Sequence, residues 1–247
     1  MKKITFALLA MSFFAVSCDK VKTDPPATTT ANNSATTPNF ATGDGFLVAV
    51  KTVTKTTVAG FPIETILGTG VAGFGNLSAA TYNDAGTITL NTKSLGKQSN
   101  NSYVYIPTAT DITGIDFSSS INWSVGGAGS VPAFTHSATA QGMPSAGDIS
   151  GSFTTISSGS DFTLSTTAVP SGADSVYFQV AGPNAVIVKR MSGTSSAATF
   201  TAAELATLGK GSGSVVVAPW NYSSATYSGK LIHVVNELAL SRVVEIQ

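Results

Sequence analysis

FTLSTTAVPSGADSVYFQVAGPNAVIVK, residues 162–189, decides the fold. Three short runs rich in apolar and β-branched residues, Phe162–Thr166, Ser175–Val180 and Val186–Lys189, are separated by Ser171-Gly172-Ala173-Asp174 and Gly182-Pro183-Asn184. Glycine, proline, asparagine and aspartate turn the backbone, so runs this short between such clusters predict β-strands. Working outward, the same rhythm predicts strands at Phe46–Val53, Thr87–Asn91, Tyr103–Ile106, Ile121–Val125 and Ser150–Ile156 on one side. On the other it predicts Ser214–Ala218, Lys230–Val235 and Ala239–Ile246. Alternation within Ile121–Val125 puts Ile121, Trp123 and Val125 on one face, with Trp123 in the core. The expected class is all-β.

One helix interrupts it. Thr201 and Glu204 stand in the spacing of a capping box, with Phe200 and Leu205 placed for a hydrophobic staple. A short helix is expected near 201–209, ended by Gly209 or Gly211. Gly142-Met143-Pro144-Ser145-Ala146-Gly147 suggests a boundary between blocks 45–143 and 144–247, each about the size of one immunoglobulin-like sandwich. The ending, Gly229–Glu237 followed by Val243–Ile246, resembles the last two strands of many bacterial Ig-like modules. That resemblance implies a fold and no activity. The expectation is one or two Ig-like β-sandwiches, a single larger sandwich being the alternative.

Composition excludes several functions. Of 247 residues only 11% are charged, and the formal net charge is zero, so there is no basic field for nucleic acid. One cysteine permits neither an internal disulfide nor a thiolate zinc site. No apolar run reaches the roughly 18–20 residues of a membrane span.

The N-terminus carries an address. Met1-Lys2-Lys3 precedes an apolar run from Ile4 to Val16, then Ser17 and Cys18, the pattern of an export signal. Ala15-Val16-Ser17-Cys18 resembles the lipobox of bacterial lipoproteins, with Ala15 where leucine is usual. The resemblance implies cleavage after residue 17 and lipid attachment at Cys18, hence the membrane as a partner. Several acyl chains, at roughly 0.8 kcal/mol per buried CH₂, anchor a protein stably where one does not. Asp19 directly after the cysteine resembles inner-membrane retention in enteric bacteria. In Bacteroidota-type lipoproteins, acidic residues there accompany surface export; the outer membrane is the favoured expectation. Residues 19–44 hold Pro25-Pro26, Thr28-Thr29-Thr30 and Asn32-Asn33 without hydrophobic period, and read as a disordered tether.

Chemistry is sparse. Gly68-Thr69-Gly70-Val71-Ala72-Gly73 fits a dinucleotide-binding pattern, but no helical period follows and no acidic residue lies at the expected offset, so it reads as a glycine-rich loop or bulge. No cofactor is implied. No G-x-S-x-G occurs, and His136 and His233 are the only histidines, His233 on a strand face with Leu231 and Val235. Asp111 and Asp116 read as Asx-turn residues rather than calcium ligands. Asp174-Ser175-Val176 resembles the acceptor for protein O-glycosylation in Bacteroidota, which would make Ser175 the modified residue. Pro219-Trp220-Asn221-Tyr222, continuing to Tyr227, is expected to be a loop at a sandwich end. There Trp220, Tyr222 and Tyr227 would stack on a ligand ring and Asn221 would bond hydroxyls, or Trp220 would fold back on the core. The function expected is non-catalytic: adhesion, envelope assembly, or capture of a glycan or protein partner. The alternative is a hydrolase acting on an envelope polymer, which would need paired carboxylates in a cleft.

Overall fold

The computed structural model describes residues 42–58, 61–138 and 142–247. The expected signal peptide at 1–17, the lipidated Cys18 and the tether up to residue 41 lie outside the described residues. Fifteen strands follow in order: β1 Gly45–Val58, β2 Phe61–Phe74, β3 Ile88–Leu90, β4 Lys93–Ser94, β5 Gly96–Lys97, β6 Tyr103–Tyr105, β7 Asn122–Val125, β8 Phe134–Ser137, β9 Thr155–Ile156, β10 Phe162–Ser165, β11 Ser175–Ala181, β12 Val186–Ser192, β13 Ala197–Phe200, β14 Gly211–Tyr227 and β15 Lys230–Ile246. The helix α1, Ala202–Leu205, sits between β13 and β14. Its capping box is present in full: the Glu204 N–H donates to Thr201 Oγ1, and the Glu204 carboxylate accepts from the Thr201 N–H.

A nine-stranded sheet organises the chain, in the order β12-β11-β14-β15-β1-β2-β6-β5 with β9 beside β15. β1 runs parallel to β15 from Gly45↔Ile232 to Lys55↔Arg242. The blocks 45–143 and 144–247, expected as separate units, therefore contribute strands to one sheet. The tether boundary also moves. Asp44 accepts from the Leu231 N–H and pairs with Lys230, so the ordered chain begins ahead of residue 45. Those two bonds hold the Asp44 carboxyl below its ordinary value, the Leu231 N–H contributing most.

Strand alternation gives this sheet two apolar faces. Leu47, Ala49 and Val234 face one way and pack against Ile88, Leu90, Trp123 and Val125 of the four-stranded sheet β4-β3-β7-β8. Trp123 is 1% exposed, as a core residue should be. Further along the same face, Val215, Val217, Leu240 and Val244 pack against Leu164, Phe200 and Leu205 of the β10–β13 pair and α1. This is a sandwich-type arrangement, with two smaller sheets side by side on one face of a large one. The opposite face carries Phe46, Val48, Val50, Val216, Ala218, Trp220, Val235 and Ala239, joined by Leu77 and Tyr82.

Three expectations change. Residues 68–73 form no loop; they lie within β2. Glycine there serves packing. A Cβ on Gly68 would lie 1.8 Å from the Ile115 carbonyl oxygen, and one on Gly73 would lie 2.7 Å from the Phe46 ring. Second, the runs 230–235 and 239–246 are one strand: Asn236 and Glu237, which fall between the two expected strands, are 3% and 1% exposed within β15. Third, Pro219 does not end a strand. The β14–β15 ladder lapses between Val217↔Leu240 and Trp220↔Glu237, then resumes in the same register. A proline that cannot donate costs a ladder bond without changing the pairing.

Candidate functional site

The segment expected as an aromatic loop is the second half of β14, and its side chains divide between the two faces of the sheet. Trp220 and Tyr222 point to the face of Val48 and Val235; Asn221 and Tyr227 point to the other. The four therefore do not converge on one surface. Trp220 is 3% exposed, opposite Glu237 on β15 and Ser175 on β11. Its ring stacks on Tyr177 with centroids 5.7 Å apart and planes 19° from parallel. The Trp220 indole Nε1 is buried without a hydrogen-bond partner.

Asn221 is structural. Its amide nitrogen donates to the carbonyls of Gly142 and Gly172, both at 3.0 Å, and its Oδ1 accepts from Asn236 Nδ2 at 3.0 Å. It thereby ties two crossing segments to the centre of the sheet, between the two apolar regions of that face. Tyr222 is half-buried. Its N–H donates to Asp174 Oδ2 at 2.7 Å, and its hydroxyl shares a 2.6 Å hydrogen bond with His233 Nδ1. Tyr227 stacks on Phe134 at 4.1 Å and shares a 2.7 Å hydrogen bond with His136 Nδ1. Burial holds both histidines below their ordinary pKa, so they are neutral partners of these phenols.

Ser175 is fully buried, its strand paired on both sides by β12 and β14. The expected acceptor is thus closed off in the folded chain: Asp174 caps the backbone of β14 and Ser175 faces the interior. Asp111 and Asp116 are engaged locally. Asp111 pairs with Lys93 at 2.7 Å and accepts from the Tyr105 hydroxyl; Asp116 accepts from Ser118 N–H and Oγ. No group of three or more potential metal ligands occurs among the described residues.

The residue missed in the sequence is Glu237. Burial alone pushes its carboxyl up to about 8, so it is largely protonated at neutral pH. It lies between Trp220 on β14 and Val50 on β1; the Tyr177 phenol is pushed up mainly by burial, with Arg190 acting against the shift and Glu237 adding to it. One charge inside Ile232–Leu240, an otherwise mostly apolar run, was the available signal. Chemically, the constellation Glu237, Trp220, Tyr177 and His233–Tyr222 is a buried polar seam through an apolar sheet face. It can hold strands in register and it can titrate.

No family model matches the chain, and no curated protein matches it in sequence.

Proposed function

We propose that this chain is a lipid-anchored cell-envelope protein of the outer membrane with a non-catalytic structural or binding role: adhesion, envelope assembly, or capture of a glycan or peptide. The observation that carries the reading is the position of Cys18. The chain's single cysteine falls at the end of the export signal's apolar run, within a lipobox-like tetrapeptide. Use of the polar side chains supports the non-catalytic part. Both histidines bond tyrosines, and Asp44, Asp84, Asp111 and Asp116 hold turns and strand ends together. Trp220 serves the interior of the sheet, so contacts with a partner fall elsewhere on the surface.

The anchor is tested by following the wild-type chain and Cys18→Ser through radiolabelled palmitate incorporation and detergent-phase partitioning. The wild type should incorporate label and enter the detergent phase. Cys18→Ser should lose the label and remain unprocessed. Equal labelling of the two chains overturns the reading.

A further inference from the structure

The sheet face that carries Phe46, Val48 and Trp220 is buried at one end and open at the other. Val48, Val235, Ala239 and Trp220 are all buried there. Farther along the same face, Val243 of β15 and Ile63 and Phe61 of β2 are 54%, 44% and 73% exposed. The same strands form both ends, so neighbouring side chains within the sheet do not explain the difference. A buried sheet face needs another element laid over it. Among the described residues, the buried apolar side chains that reach this face from outside the sheet are Leu77 and Tyr82. Both stand at the Phe46 end, where the Tyr82 ring meets Phe46 edge-on with centroids 5.7 Å apart. Trp220 lies beyond them: it pairs with Glu237, four residues farther along β15 than His233, the partner of Phe46.

The chain enters the fold over this buried end. A Cβ on Gly43 would lie 2.3 Å from the His233 ring and 3.2 Å from Leu77. The backbone therefore passes directly above side chains of this face before Asp44 bonds Leu231 and β1 begins. The sequence just ahead is suited to continue there. Residues 25–41 carry no charge, being threonine, alanine, proline, asparagine, one serine and Phe40. The charges that follow Cys18, namely Asp19, Lys20, Lys22 and Asp24, all precede this stretch. The buried end is nearly free of charge as well: burial keeps Glu237 largely protonated at neutral pH, and Arg190 stands at the rim on β12. An uncharged segment gives up no ion hydration in lying there. Its length suffices. His233 to Trp220 is four residues along and one strand across, roughly 14 Å, whereas residues 25–41 in extended form reach about 55 Å.

We propose that residues 25–41 of this chain dock across the sheet face from Gly43 to Trp220, with Phe40 over Val48 and Val235, and that residues 19–24 alone serve as the spacer between Cys18 and the fold. The consequence is a short reach. Six extended residues span about 20 Å, against roughly 75 Å for the whole of residues 19–41. The sheet is thereby held close to whatever the N-terminus is attached to. Other occupants fit less well. A second copy of this chain would have to displace the backbone that already passes over His233. A lipid surface would press that same stretch of backbone into hydrocarbon, where its polar groups stay unsatisfied. The inference does not rest on the lipid at Cys18, and the labelling experiment leaves it untouched.

The test uses residues 19–247, which keep every described residue. The native protein and a free synthetic peptide of residues 19–41 are digested side by side with proteinase K, and the cut sites are read by mass spectrometry over time. Cleavage within residues 27–37 should be at least about tenfold slower in the protein than in the peptide, because a docked segment is cut only after it opens. Cleavage within residues 19–24 should be equally fast in both. Phe40→Asp sets a charge over the apolar face. It should bring residues 27–37 to the peptide's rate and raise acrylamide quenching of the tryptophan emission, as Trp220 loses its cover. Thr23→Asp, a charge in the spacer, should change neither. The wild-type digest decides the matter even if Phe40→Asp does not fold. Three results overturn the proposal. One is equal cleavage of residues 27–37 in protein and peptide; binding of the trimmed domain to phosphatidylethanolamine vesicles would then assign the face to lipid. Another is a folded Phe40→Asp protein with both cleavage and quenching as in wild type. The third is protection that disappears on dilution, which would assign the face to a second copy.

Discussion

Glu237 makes the stability of this sheet depend on pH in a direction that can be worked out. In the unfolded chain its carboxyl titrates near 4.5; in the fold, burial raises it to about 8. Between those values the folded chain holds a proton that the unfolded chain has lost. Stability is therefore highest below pH 4.5 with respect to this group, and falls as pH rises toward 8, by about 1.4 kcal/mol per pH unit at most. At pH 7 the accumulated cost is about 3 kcal/mol. Glu237→Gln keeps the size and polarity of the side chain and removes the titration. The variant should match the wild type near pH 4.5, exceed its unfolding free energy by about 3 kcal/mol at pH 7, and gain nothing further well above pH 8. His136 and His233 act with the opposite sign. Held low in the fold by burial, they add stability as pH rises through their unfolded range. Because both chains carry these histidines, their effect cancels in the difference. Urea unfolding at pH 5, 6, 7 and 8, followed by tryptophan fluorescence, supplies that difference. A gap that does not widen with pH, or a variant less stable than wild type at pH 8, refutes the assignment of a neutral buried Glu237.

Three further perturbations probe other parts of the argument. Trp220→Ala should cost roughly 3–5 kcal/mol in denaturant, the usual cost of emptying a buried aromatic position. Binding of soluble glycans by the fraction that stays folded should be unchanged, and a glycan-array signal lost without loss of stability would return Trp220 to a contact surface. Gly68→Ala places a methyl against the Ile115 carbonyl oxygen, so β2 or the 113–115 segment must shift; a loss of about 1–3 kcal/mol is expected by thermal or urea unfolding. Thr201→Ala removes the N-cap of α1 and should cost about 1 kcal/mol, with the far-ultraviolet circular dichroism of the sheet unchanged.

What the sequence revealed, and what it concealed, follow from the range of each interaction. The capping box at Thr201–Glu204 is local, four residues long, and its two reciprocal bonds form as read. The alternation around Trp123 is also local, and that ring is buried as expected. Strand length was underestimated wherever one residue looked like a break. Pro219 costs one ladder bond in a strand held from both sides by β11 and β15, and two neighbours outweigh one missing donor. Asn236 and Glu237 interrupt the apolar pattern until Asn221, on the neighbouring strand, supplies the amide partner and burial suppresses the charge. The glycines of β2 look like a loop because the reason for them lies elsewhere: Ile115 and Phe46 occupy the space their side chains would need. The loop expected at Pro219–Tyr227 is a strand for the same cause. Trp220, Tyr222 and Tyr227 are close in sequence, but strand geometry sends them to opposite faces, and only the pairing of β14 with β15 and β11 determines which. A site formed by such partners becomes legible only when the partner strands are known.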